Sequence, residues 1–245
     1  GGLRMVGGVP LQADQQQKVE TELRQLFLKG RVSDVIISWE SVLSRFECDW
    51  SPSMLSTLGL AYVLVEEDKG LEFLKKSVEV SRRFQEGFHG NQDDVVGGGS
   101  RSADSEEYQR AELETLEYQL ALSNGYRDLH RNGDAGELYN DIIDAARRLD
   151  SPGVLCRALM DYGSFLETNV EDYDTALLYY KEVLRVAEKL PTDTRQQKLV
   201  ARALLKSGNV IAHQKCSAKD RQAVKQWSLA MQVAKRVKYN KVIRE

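Results

Sequence analysis

The chain has 245 residues, of which 42% are apolar and 29% charged, with only four prolines. That is enough apolar material to bury a full core, as one large domain or two smaller ones, and it excludes disorder throughout. The net charge of −3 hides an asymmetry: residues 189–245 hold 14 Lys/Arg against 3 Asp/Glu, and residues 1–188 hold 20 against 34, which speaks to partners rather than to fold.

In chain order, residues 1–14 begin Gly1-Gly2-Leu3-Arg4-Met5-Val6-Gly7-Gly8, without the basic-then-apolar order of a signal peptide, and are expected to form a flexible leader. Over residues 15–85 the apolar positions recur at three- and four-residue intervals, as amphipathic helices require. Val19, Leu23, Leu26 and Phe27 form one stripe. After the break Lys29-Gly30-Arg31, a second stripe runs Val32, Val35, Ile36, Trp39, Val42, Leu43 and Phe46. Ser51-Pro52 is a cap residue followed by a proline suited to a first helical position. It opens Met54, Leu55, Leu58, Ala61, Tyr62 and Val65, and Glu66-Glu67-Asp68-Lys69-Gly70 separates these from Leu71, Leu74 and Val78. Two helical hairpins are predicted here.

Residues 86–103 contain Gly87, Gly90 and Gly97-Gly98-Gly99-Ser100, the composition of a flexible linker or insertion. Whether 97–100 is native or an engineered join is open. Residues 104–245 return to the helical pattern. Leu116 to Leu129 is broken by Arg131-Asn132-Gly133-Asp134, then Leu138 to Leu149 follows. Ser151-Pro152 repeats the cap arrangement, and Leu155 to Leu166 is broken at Thr168-Asn169 before Ala176 to Leu190. Leu199 to Ile211 is broken near Lys215 to Lys219, and Ala223 to Val237 ends in a basic C-terminal helix. That makes three more hairpins, about five in all.

Residues able to carry chemistry are few. Cys48, Cys156 and Cys216 form an odd, widely spaced set with no CxxC pair, so small buried hydrophobes in a reducing compartment are expected. His89, His130 and His213 have no second ligand one turn away, so no metal site is expected. His130 and His213 each end a predicted first helix and suit the negative end of its dipole. The Gly97-Gly98-Gly99 tract lacks the strand–loop–helix context and the Lys-Ser/Thr of a phosphate loop. No serine sits in a nucleophile elbow. No catalytic residue, cofactor or small-molecule substrate is assigned, and the expectation is that the chain is not an enzyme. No apolar run approaches the roughly 18 residues of a membrane span, so a location inside the cell, cytoplasmic or nuclear, is expected.

Leu55-Ser56-Thr57-Leu58-Gly59-Leu60-Ala61-Tyr62 resembles the first helix of a tetratricopeptide repeat (TPR), and Ala223, Trp227 and Ala230 have the spacing of its second helix. Val35-Trp39-Val42, Ala135-Tyr139-Ile142 and Ala176-Tyr180-Val183 keep that spacing with larger residues. Gly59, Gly125, Gly163 and Gly208 recur in the first-helix role. Leu23 replaces the glycine in the first hairpin, and the longer steps between later glycines make the repeats divergent. The resemblance, over about residues 16–82 and 105–237, implies an all-α, right-handed superhelix of about five TPR-like hairpins. It also implies a protein-interaction scaffold or adaptor that binds a peptide segment of a partner in a concave groove lined by first helices. By that resemblance the groove holds Ser56, Leu60, Val63, Leu122, Tyr126, His130, Arg157, Met160, Ser164, Arg202, Leu205, Asn209 and His213, suited to a partner with acidic and apolar anchors. A basic patch comprises Lys198, Lys206, Lys215, Lys219, Arg221, Lys225, Lys235, Arg236 and Lys238. The alternatives are a structural segment of a larger complex or multidomain protein, with the groove filled in cis, or a nucleic-acid adaptor using the basic hairpin.

Overall fold

The computed structural model describes residues 9–10, 13–43, 46–47, 50–65, 67–90, 101–213 and 217–239. Cys48, Cys216, Lys215, residues 1–8 of the leader and the glycine tract lie outside the described residues, as do the side chains of His89 and Lys219. The described chain is all-α apart from a two-residue parallel bridge, β1 (Val9–Pro10) with β2 (Phe46–Glu47). It divides into two compact units, Gly1–Arg131 and Asn132–Glu245. The division falls in the turn of the pair expected as the third hairpin.

The first unit contains α1 (Ala13–Leu28), α2 (Val32–Leu43), α3 (Pro52–Val63), α4 (Lys69–Gly90) and α5 (Arg101–Asp128). Gly30, at φ 73°, ends α1 in the left-handed region, where a side chain is disfavoured. Ser51 caps α3 by accepting the Met54 N–H at 3.2 Å, with Pro52 at the start of the helix. Its own hydroxyl donates to Glu20 of α1 at 2.7 Å, placing a carboxylate at a helix N-terminus where the dipole favours it. Leu23, Val35, Trp39, Met54, Leu58, Ala61 and Tyr62 form one buried cluster, and each large apolar side chain there contributes about 1.5–3 kcal/mol by leaving water. Helices α4 and α5 reach into both ends of the segment 86–103. The side-chain bonds that join them include Ser81 to Thr115 at 2.8 Å and Gln85 Nε2 to Tyr108 Oη at 3.0 Å.

The second unit contains α6 (Asn132–Arg148), α7 (Pro152–Phe165), α8 (Tyr173–Ala187), α9 (Thr194–His213) and α10 (Ser217–Arg236). Three expected details are corrected. Asn132 and Gly133 are the first residues of α6, because His130 ends α5 at φ 58° and completes the turn earlier. Ser151, unlike Ser51, makes no side-chain cap bond. Thr168-Asn169 is not a break: α7 continues as a π-helical turn, Leu166–Val170, and stops at Glu171 with φ 60°. The wider turn takes up part of the surplus over an ordinary repeat. Asp172 then caps α8 by accepting the Thr175 N–H at 3.1 Å, and Asp193 caps α9 through Gln196 N–H at 2.8 Å.

The recurrent glycines mark close helix contacts. A Cβ on Gly163 would lie 2.8 Å from the Tyr180 ring, and one on Gly208 would lie 2.5 Å from the Trp227 ring. In α3 the arrangement differs. A Cβ on Gly59 would lie 2.5 Å from Leu74 Cγ and 2.8 Å from the Gly70 carbonyl, so an aliphatic side chain and a second glycine replace the ring. Gly125 of α5 also faces α4, with Leu74 Cδ1 at 2.7 Å. Each site forgoes about 1 kcal/mol of helix propensity relative to alanine and gains an approach that no side chain permits.

Candidate functional site

Helix α9 contains Arg195, Lys198, Arg202 and Lys206 and no Asp or Glu. Its interior side is apolar or small: Ala201, Ala203, Leu204, Leu205, Ser207, Gly208, Val210 and Ile211 are all buried. At about 100° per residue, Arg195, Lys198, Arg202, Lys206, Asn209 and His213 fall within an arc of about 80°, along about 27 Å of helix. This strip is the solvent side of α9: Arg195, Lys198, Arg202 and His213 are exposed, and Lys206 and Asn209 half-buried.

Four residues of the strip have contacts that hold them. Lys206 Nζ donates to Glu167 Oε2 at 3.1 Å, and the Tyr180 hydroxyl donates to the same oxygen at 2.6 Å. Glu167 stands in the π turn, which brings its largely buried carboxylate to both partners. Burial, reinforced by that carboxylate, raises the Tyr180 phenol far above its ordinary range. Asn209 Oδ1 accepts the Trp227 indole N–H at 2.9 Å. The His213 ring stacks on Tyr173, with centroids 5.2 Å apart and 13° between planes. Lys198 lies 5.8 Å from the Tyr239 ring centroid, within cation–π range. Arg195 and Arg202 have no carboxylate within ion-pair reach among the described residues.

The expected groove residues separate by burial. Ser56, Val63, Leu122, Met160 and Leu205 are 2–8% exposed, so their side chains are not open to a ligand. Leu60, Tyr126, Ser164 and Asn209 are half-buried, while His130, Arg157, Arg202 and His213 are exposed. In the first unit, Tyr126 has two cations near its ring, Arg131 at 5.0 Å and Lys75 at 5.7 Å from its centroid. In the second, the solvent side of α7 carries Arg157, Asp161, Ser164 and Thr168, a mixed strip unlike that of α9. Arg221, Lys225, Lys235, Arg236 and Lys238 of the expected basic patch are exposed, on α10 or just after it.

Sequence reasoning missed two residues. Arg195 shares the face of Arg202, and its seven-residue spacing was the available signal. Glu167 had none, because only the π turn carries it to Lys206. Cys156 is fully buried, and burial pushes its thiol up to about 11, away from reactivity. No group of three or more His, Cys, Asp or Glu is placed to hold a metal ion among the described residues, and no described helix is long and apolar enough to cross a membrane.

No family model matches the chain, and no curated protein matches it. Distant likenesses to solved structures exist. BtubC (BKLC) from P. vanneervenii is 15% identical with a TM-score of 0.49, the match covering 95% of this chain and 78% of that one. Aspartyl phosphate phosphatase F from Bacillus subtilis is 15% identical with a TM-score of 0.43, covering 92% and 66%. A Rap protein complexed with Competence and Sporulation Factor is 12% identical with a TM-score of 0.46, covering 96% and 69%. At these distances the assignments below rest on the chain's own residues.

Proposed function

We propose that the chain is a non-catalytic, TPR-like interaction module that holds a peptide segment of a partner protein against the solvent faces of its first helices. One observation carries the reading. In α3, α7 and α9 a glycine seats the first helix against its partner, and in α7 and α9 the opposite side is left as a polar strip facing solvent. Such strips are where helical-repeat proteins bind extended surfaces. The preferred ligand is a segment with acidic and apolar anchors. In the second unit the Tyr173–His213 ring pair offers apolar contact, whereas Met160 and Leu205 are buried.

A peptide array spanning acidic, basic and neutral apolar sequences tests this. Binding by some peptides is expected, with loss on Arg157→Glu/Arg202→Glu but not on Lys181→Glu of α8. Identical profiles for all three proteins would refute the face assignment, and no binding to any peptide would refute the module.

A second reading has its own support. On α10, Val224 is 54% and Trp227 37% exposed, an apolar face of the kind another element covers in a larger assembly. Concentration-dependent self-association abolished by Trp227→Ala would favour that structural role. A monomer unaffected by the change would argue against it.

A further inference from the structure

We infer that the α9 strip is a receptor for an acidic α-helix of a partner protein; this deepens the peptide-binding reading and rests on it. Four cations share one helix face without a single carboxylate on that helix. Like charges at three- and four-residue spacing repel. Among the described residues only Lys206 has an ion-pair partner, Glu167 at 3.1 Å, and that carboxylate is already shared with the Tyr180 hydroxyl. Asp193, the nearest acid in sequence, is engaged by the Gln196 N–H at 2.8 Å. Arg195, Lys198 and Arg202 therefore present a row with no ion-pair partner among the described residues, and a ligand that supplies carboxylates relieves the repulsion as it binds.

The row's dimensions identify the shape of that ligand. Its three cations rise about 4.5 Å and then about 6 Å along the helix axis. Carboxylates at i, i+3 and i+7, or i, i+4 and i+7 if antiparallel, on an adjacent helix rise by the same steps. One face of an extended strand offers a side chain only about every 6.6 Å. The strip lies on a single helix, flanked by α8 and by the basic α10. A helix about 10–12 Å across can lie over α9 alone and place its carboxylates along the row. Tyr239 lies beside Lys198 in the middle of the row, and the Tyr173–His213 stack lies beyond Arg202 at the C-terminal end of α9.

The test measures the affinity of the whole chain, at low salt, for a labelled Ala-based helical peptide with Glu at i, i+3 and i+7. The comparison probes are the same composition with the Glu residues scrambled, a neutral Ala/Leu peptide and oligothymidylate of equal charge. We expect the patterned peptide to bind tightest and to weaken as salt is added. It should lose about tenfold or more on Arg195→Glu/Lys198→Glu/Arg202→Glu, but less than about twofold on Lys225→Glu/Lys235→Glu of α10. Circular dichroism confirms that both variants remain folded. Equal losses in the two variants, or tighter binding of the scrambled peptide or of oligothymidylate, would overturn the inference. Binding of the neutral peptide alone would overturn it while leaving the peptide-module reading intact, and binding of no probe, together with an empty array, would remove both.

Discussion

Tyr180 of α8 and Trp227 of α10 hold the same place in successive helix pairs, each lying over a first-helix glycine, yet Tyr180 is fully buried and Trp227 is 37% exposed. The difference lies in what covers the second helix. Helix α9 packs on α8 and its Lys206 reaches Glu167, the acceptor of the Tyr180 hydroxyl. Among the described residues no further helix follows α10. The aromatic of one pair thus becomes core only when the next pair stacks on it, as expected where stability is shared between neighbours.

The largest expected effect sharpens this contrast. Tyr180→Ala should destabilise the chain by about 3–5 kcal/mol in urea unfolding, and Trp227→Ala by about half as much or less, since part of its ring is never removed from water. Equal losses would show that both rings do the same work and would break the comparison. Next come the glycines. Gly163→Ala should cost about 1–3 kcal/mol because the sealed Tyr180 ring cannot withdraw, while Gly208→Ala should cost about 1 kcal/mol or less because the half-open Trp227 ring can tilt. Gly87→Ala in α4, where a Cβ meets nothing within 4 Å, should instead stabilise by up to about 1 kcal/mol.

Smaller still is the hydroxyl of Tyr180. Tyr180→Phe should cost about 1 kcal/mol, since Glu167 keeps its bond from Lys206. The start of α8 gives an effect of similar size with a pH signature. Asp172→Ala should lose about 1 kcal/mol at neutral pH through the missing cap. The Thr175 hydroxyl and backbone N–H hold the Asp172 carboxyl below its usual range, so its contribution is present above that range and lost as pH falls through the depressed value. Asp172→Asn should keep the cap and flatten that acid-side decline in thermal melts across pH.

The helix pairs were legible because their signals are local and redundant. Apolar spacing, Gly30, Ser51-Pro52 and the recurring glycines all indicate the same helices. The π turn was not legible, because Leu166 to Val170 carries no turn residue that distinguishes a widened helix from a break. Ser151 looked like Ser51, but the dipeptide does not determine whether the hydroxyl bonds its helix: Ser51 accepts the Met54 N–H, and Ser151 accepts none from α7. The candidate site was half legible. Arg202, Asn209 and His213 follow from first-helix position, whereas the burial of Met160 and Leu205 is set by neighbouring helices that no single-helix pattern reveals.

The most direct test of the functional account is arginine footprinting by mass spectrometry, with an arginine-selective reagent, with and without the patterned acidic peptide. Protection of Arg195 and Arg202, with Arg185 on α8 and Arg221 on α10 unchanged, is the predicted result. Protection centred on Arg185 or Arg221, or spread evenly over all four, would contradict a ligand gripped by the first-helix face.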